Sequence, residues 1–131
     1  MIFLIDHNIE GQAEMLWGNI AAEGWLELLP IRFICFEEID LPIDSNDRTV
    51  WKVAQSKGMI LLTANRSMKG EDSLEQVIRE ENGADSLPVV TVGNPGRLLS
   101  ERAYRNRCAD EILAIAIDFE LYMGVGRLFI P

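Results

Sequence analysis

The sequence predicts an α/β domain, a mostly parallel sheet of four to five strands with helices on both faces, and so three layers, α/β/α. Three observations carry this. Short apolar runs at 2–5, 31–36, 59–63 and 88–92 read as strands buried on both faces, as in parallel sheets. Segments with apolar residues at helical spacing separate these runs, so each connection is a crossover. The 131 residues leave room for one domain and no second.

Each element follows in order. Ile2-Phe3-Leu4-Ile5 is a buried strand that ends at Asp6. Ile9, Ala13, Leu16, Trp17, Ile20 and Ala21 recur at helical spacing, and Gly24 supplies a stop. Pro30 precedes a second strand, Ile31–Phe36, interrupted by Arg32; the acidic stretch Glu37–Asn46 reads as a loop. Asp47 is the expected N-cap of a helix carrying Val50, Trp51 and Ala54, closed by Gly58. Met59–Thr63 is a third strand, leaving through Ala64-Asn65-Arg66. Asp72 and Glu75 have capping-box spacing before a helix with Leu74, Val77 and Ile78, ended by Asn82-Gly83. Pro88–Val92 is a fourth strand and Gly93–Gly96 a turn. Tyr104, Cys108, Ile112, Ile115, Phe119 and Tyr122 mark one long amphipathic helix, and Arg127–Ile130 a last short strand.

Composition removes several function classes. Apolar residues make up 48% and charged residues 25%, the balance of a globular chain able to bury a core without staples. The longest apolar run, Ile112–Ile117, is six residues, far below the ~20 needed to span a bilayer. The first six residues lack a basic region and a long apolar stretch, so they are not expected to be a secretory signal, and a reducing cytoplasm is the expected compartment. Cys35 and Cys108 then read as core thiols, and His7, the single histidine, leaves no zinc spacing. The formal charge is −9, and its placement is uneven: residues 1–47 hold 10 acids and one base, Arg32, whereas residues 48–131 hold 11 of each. That argues against a general nucleic-acid coat or an anionic-membrane binder, and leaves room for a local phosphate or cation site.

In a parallel sheet, sites lie beyond the carboxyl ends of the strands. That directs attention to Asp6-His7-Asn8, Asn65-Arg66 and Gly93-Asn94. Asp6 is either a hard-metal ligand or an acceptor capping the helix near Ile9, since a carboxylate there needs a cation or donors. Asp47, at a helix start, can reach the same mouth or act only as a cap. Asn65 offers a neutral oxygen, and Arg66 can meet a phosphate or Asp6. Asp72 and Glu75 are either a capping box or part of the acid cluster. Arg97, Arg102, Arg105 and Arg107 fall within eleven residues, opposed only by Glu101. They form either a grip on an RNA backbone or an acidic partner, Arg102 and Arg105 sharing a helix face, or a solvated face pairing with the acidic stretch 37–44.

The pieces Phe3-Leu4-Ile5-Asp6-His7-Asn8 and Asp47-x-x-Val50-x-x-Val53-Ala54-x-x-x-Gly58-x-Ile60-Leu61-Leu62-Thr63-x-Asn65 resemble the PIN-like nuclease superfamily, in its short single-domain branch. The likeness covers the first half directly and the second half in element order. It implies one three-layer domain over residues 1–131. It also implies a cluster of acids at the sheet mouth holding Mg²⁺ or Mn²⁺, which activates water for RNA hydrolysis. Carried over residue by residue, it makes Asp6 and Asp47 metal ligands, with Asp72 as a compensating acid, and puts Asn65 where the family usually has Asp. Arg66, Arg102 and Arg105 would contact phosphate. The likeness further implies a toxin of a toxin–antitoxin pair, an antitoxin-like partner and a homodimer. The loss of an acid at Asn65 points alternatively to a weakened or inactive binding module. An aspartyl-phosphate receiver is a remote third reading, since the last lysine is Lys69.

Overall fold

A computed structural model describes residues Met1–Pro131. Five parallel strands form one sheet in the order β2-β1-β3-β4-β5. They are β1 (Ile2–Ile5), β2 (Arg32–Cys35), β3 (Met59–Thr63), β4 (Val89–Val92) and β5 (Arg127–Ile130). The helices are α1 (Glu10–Ala22), α2 (Asp47–Ser56), α3 (Leu74–Glu81), α4 (Pro95–Ser100) and α5 (Arg102–Ile117). The expected α/β class, the parallel pairing and the two helical layers are all present, and the sheet has five strands.

Side-chain alternation along the strands divides the core. Phe3, Ile5, Ile60, Leu62, Val90, Val92 and Ile130 face α1, α4 and α5 in a cluster of 20 buried residues. Leu4, Ile34, Leu61 and Val89 face α2 and α3 in a smaller cluster of 12. The smaller layer has only two helices. It therefore leaves the outer part of β5 uncovered on that side, and Phe129 stays 61% exposed. Tyr104, the largest fully buried side chain, ties the larger layer to the sheet mouth, its hydroxyl accepting from the Asn94 amide at 3.0 Å.

Local capping differs from the sequence expectation in several places. Asn46, not Asp47, is the N-cap of α2, its Oδ1 accepting from Thr49 N at 2.8 Å. Ser73, not Asp72, caps α3. Both cases are runs of adjacent capping-type residues, in which spacing alone does not choose the residue with the extended backbone. The expected turn at Gly93–Gly96 instead opens α4, with Asn94 as N-cap and Pro95 at its first position. Phe36, expected to end the second strand, instead opens a single 3₁₀ turn with Glu37–Ile39, expected as loop, and is buried there. The long helix stops at Ile117, and Phe119–Tyr122 is a separate 3₁₀ turn. Gly58, at φ +67°, follows the last residues of α2 in the left-handed conformation that favours glycine.

Candidate functional site

β1 leads to β2 on one side, while β3 lies on the other, so the strand order reverses between the carboxyl ends of β1 and β3. Such a switch point leaves a crevice. Alternation then aims Asp6 and Thr63 at the same face as Leu4 and Leu61, the α2/α3 side. The Asp6 amide donates to the Leu62 carbonyl at 2.9 Å, extending the β1–β3 pairing by one residue and fixing Asp6 beside Thr63. The fully buried Thr63 hydroxyl donates to Asp6 Oδ2 at 2.5 Å, a charge-assisted bond. Asp6 Oδ1 accepts from the Asn8 amide at 3.4 Å, so Asp6 also caps the 3₁₀ turn His7–Ile9.

Asp47 enters from above that face. Its position as the first residue of α2 puts it beside the start of α3, and its Oδ2 accepts from the Leu74 amide at 2.9 Å. It thus caps a helix other than its own. Asp6, Asp47 and Asn65 line one cleft of about 70 Å³, together with His7, Asn8 and Thr63. The Asn65 amide donates to Thr63 Oγ1 at 2.9 Å, and its side-chain oxygen accepts from Ser67 N at 2.8 Å.

The other expected site residues stand elsewhere. Asp72 is half exposed and bonded to Arg48 Nε at 2.7 Å; it does not line the cleft but an adjoining surface depression that shares Asp47 with it, beside Glu71 and Lys69. Arg48 also binds Glu80, Glu81 and the Glu71 carbonyl, which holds its guanidinium firmly protonated and Asp72 away from the cleft. Arg66 is exposed and donates to the Gly93 carbonyl at 3.3 Å, lining a neighbouring depression. Arg105 is turned to the carbonyls of Leu98 and Leu99, where it closes the end of α4. Arg102 is exposed and bonded to no carboxylate. The arginines do not pair with the acidic stretch 37–44: Arg97 pairs with Glu101 at 2.7 Å and lies over the Tyr104 ring.

One contributor was not read from the sequence. Arg127, 8% exposed, donates to the Asn65 carbonyl at 2.8 Å, to Thr91 Oγ1 at 2.7 Å and to Glu75 at 3.3 Å. Burial lowers its pKa, opposed by the negative charges of Glu75 and Asp47. It anchors the loop that carries Asn65. The signal was present, since a charge opening an apolar parallel strand must be paired.

The acidic groups in the cleft are the carboxylates of Asp6 and Asp47, accompanied by the Asn65 and Asn8 amides, the Thr63 hydroxyl and the His7 imidazole. Asp47 Oδ1 has no hydrogen-bond partner, and Asp6 Oδ1 has only its long one. No three His, Cys, Asp or Glu side chains gather anywhere in the chain as a metal cage. Asp6 and Asp47 are the residues there that could hold a hard divalent cation, whose remaining positions would be filled by water or a ligand's oxygens. No family model, curated protein or solved structure matches the chain.

Proposed function

We propose that this chain is a Mg²⁺- or Mn²⁺-dependent endoribonuclease of PIN-like type, acting on single-stranded RNA. One observation carries the reading. Asp6 and Asp47, forty-one positions apart in sequence, share a single cleft with Asn65 at the sheet's switch point. When bound, the cation supplies Lewis-acid polarisation of the phosphodiester and a more acidic water. The chain's own residues set the stage for this. Thr63 and the Leu74 amide each hold one oxygen of a carboxylate, so Asp6 and Asp47 present their Oδ1 atoms in fixed orientation. Asn65, pinned by Ser67 and by Arg127 on its carbonyl, keeps its amide NH₂ free to orient water or a phosphate oxygen. Arg66, in the neighbouring depression, is the phosphate contact. Pairing with an antitoxin-like protein or a second copy accords with this reading and follows from the same resemblance.

A second reading, a PIN-like binding module without hydrolysis, is favoured by Asn65 itself. It adds no charge to the cation's ligands, and its oxygen already accepts from Ser67. Mn²⁺ titration and single-stranded RNA cleavage of the wild type, Asp6→Asn and Asn65→Asp decide between them. The proposal expects Mn²⁺ binding and cleavage in the wild type, loss of both in Asp6→Asn, and tighter binding in Asn65→Asp. Unchanged Mn²⁺ affinity in Asp6→Asn overturns the site. Metal binding without cleavage in wild type and Asn65→Asp establishes the second reading.

A further inference from the structure

The opposite face of the sheet carries a larger and chemically different feature. α1 packs chiefly against α4 and α5 and touches β2, an edge strand, only lightly on that side. A groove of about 450 Å³ runs between α1 and β2. Its floor is Phe33 and Cys35, with Trp17 against Phe33 at 4.9 Å between ring centres. Its rim is Glu10 and Glu14, one turn apart on α1.

The charges around this groove are unbalanced. Glu10 pairs only with His7 at 3.2 Å, and Glu14 has no partner. Glu37 and Glu38 follow β2 closely enough that they, with Glu10 and Glu14, hold the Cys35 thiol above its ordinary pKa after burial has already raised it. Arg32, the single base among residues 1–47, alternates to the other face of β2. A polynucleotide or an anionic lipid surface is repelled by such a rim. A small hydrated cation gains nothing from an aromatic floor. A second copy of a chain with charge −9 brings like charge, and its exposed arginines are interleaved with Glu101, Asp110 and Glu111.

We infer that the α1–β2 groove is a docking surface for an extended basic segment of a partner protein, one alternating Arg or Lys with apolar side chains. The apolar side chains cover Trp17 and Phe33, and the cations meet Glu10 and Glu14. An alternating segment has the period-2 geometry that presents the two classes to floor and rim separately. Arg suits this place better than Lys, because its flat guanidinium also stacks on aromatic faces. The inference does not rest on the chemistry of the cleft, which opens on the other face; the two features meet only at the pair between His7 of the cleft and Glu10 of the rim.

The full chain is titrated with an acetylated octapeptide of alternating Arg and Leu, and with its Arg/Gly and Glu/Leu counterparts. Alkylation of Cys35 is followed by mass spectrometry, since Cys35 is half exposed and Cys108 is buried. The Arg/Leu peptide should bind and slow Cys35 alkylation. The Arg/Gly and Glu/Leu peptides should bind at least about tenfold more weakly. The Glu10→Gln/Glu14→Gln double variant, confined to the helix surface, should lose about tenfold in affinity, as expected for two partly exposed charge pairs. Equal binding of the Glu/Leu peptide, unchanged affinity in the double variant, or unprotected Cys35 at saturating Arg/Leu peptide overturns the proposal. So does concentration-dependent self-association that protects Cys35 in the free chain.

Discussion

Replacing Asp47 by Asn and, separately, by Ala divides its two contributions, because one carboxylate oxygen holds a backbone amide and the other is free. Its Oδ2 accepts from the Leu74 amide at 2.9 Å, and Leu74 is only 1% exposed, so no water can take over that donor. Asn keeps an oxygen acceptor in the same place. Asp47→Asn should therefore lose only the charge term at the start of α3, about 0.3–1 kcal/mol. Asp47→Ala loses the acceptor as well and strands a buried N–H, which adds about 1–3 kcal/mol. Urea unfolding followed through tryptophan fluorescence measures both, with Trp51 on α2 as a nearby reporter. Mn²⁺ titration of the two variants should instead show similar losses, at least about 10–100-fold, since even groups that only support a ligand cost that much when removed. The reasoning is refuted if Asp47→Ala is as stable as Asp47→Asn, for the cap then contributes nothing. It is equally refuted if Asp47→Asn retains wild-type Mn²⁺ affinity.

Two further outcomes follow from the buried groups. Arg127→Met removes the three donations to Asn65, Thr91 and Glu75; with Thr91 fully buried, the loss should be roughly 2–4 kcal/mol, seen as a fall in Tm of about 10 °C. Burial pushes the Cys108 thiol up from 9.0 to about 11. The native state therefore keeps a proton that the unfolded chain has lost. The associated stability is intact at and below pH 9 and is lost as pH rises through about 11, by roughly 2 kcal/mol. Urea midpoints between pH 8.5 and 11 should fall in the wild type and fall less steeply in Cys108→Ala.

β1, β3 and β4 were legible because each is a nearly continuous apolar run, and burial on both faces leaves such a run no other stable place, whereas the edge strands β2 and β5 each open on an arginine and stay partly exposed. The three-layer plan followed from the alternation of those runs with helical periods. Asp6 was legible as a residue of the sheet mouth for a related reason: it is the first charge after a largely buried strand, so the fold must account for it. The caps were less legible. Ser45-Asn46-Asp47 and Asp72-Ser73 offer neighbouring residues of equal capping chemistry, and which of them is the cap depends on where the incoming chain turns, a tertiary matter. Arg48 was hidden for the opposite reason. Its partners Glu80 and Glu81 lie more than thirty residues away, and only the packing of α2 on α3 brings them together and takes Asp72 out of the cleft. Arg127 reaches the Asn65 carbonyl from a strand two places away in the sheet, a distance no local spacing encodes.

The uneven charge of the sequence becomes a spatial gradient through the strand order. β1 and β2 end up adjacent at one side of the sheet, so the acids of residues 1–47 gather there, around the cleft on one face and the groove on the other. β4 and β5 lie at the far side, built from the half of the chain in which charges balance. Under the proposed function, a polyanion approaching the cleft is repelled from the β2 side and meets Arg66, which donates to the Gly93 carbonyl at the end of β4, from the other side. An RNA strand reaching Asp6 and Asp47 would then enter across Arg66, and added salt should act on two opposed terms at once. It screens the repulsion of the acidic flank, and it weakens the few arginine contacts. With so few cations engaged, the slope of log affinity against log salt should be shallow, about 1–2, rather than the steep dependence of a basic nucleic-acid coat. A slope of about 6 or more would place the RNA on a surface this fold does not possess.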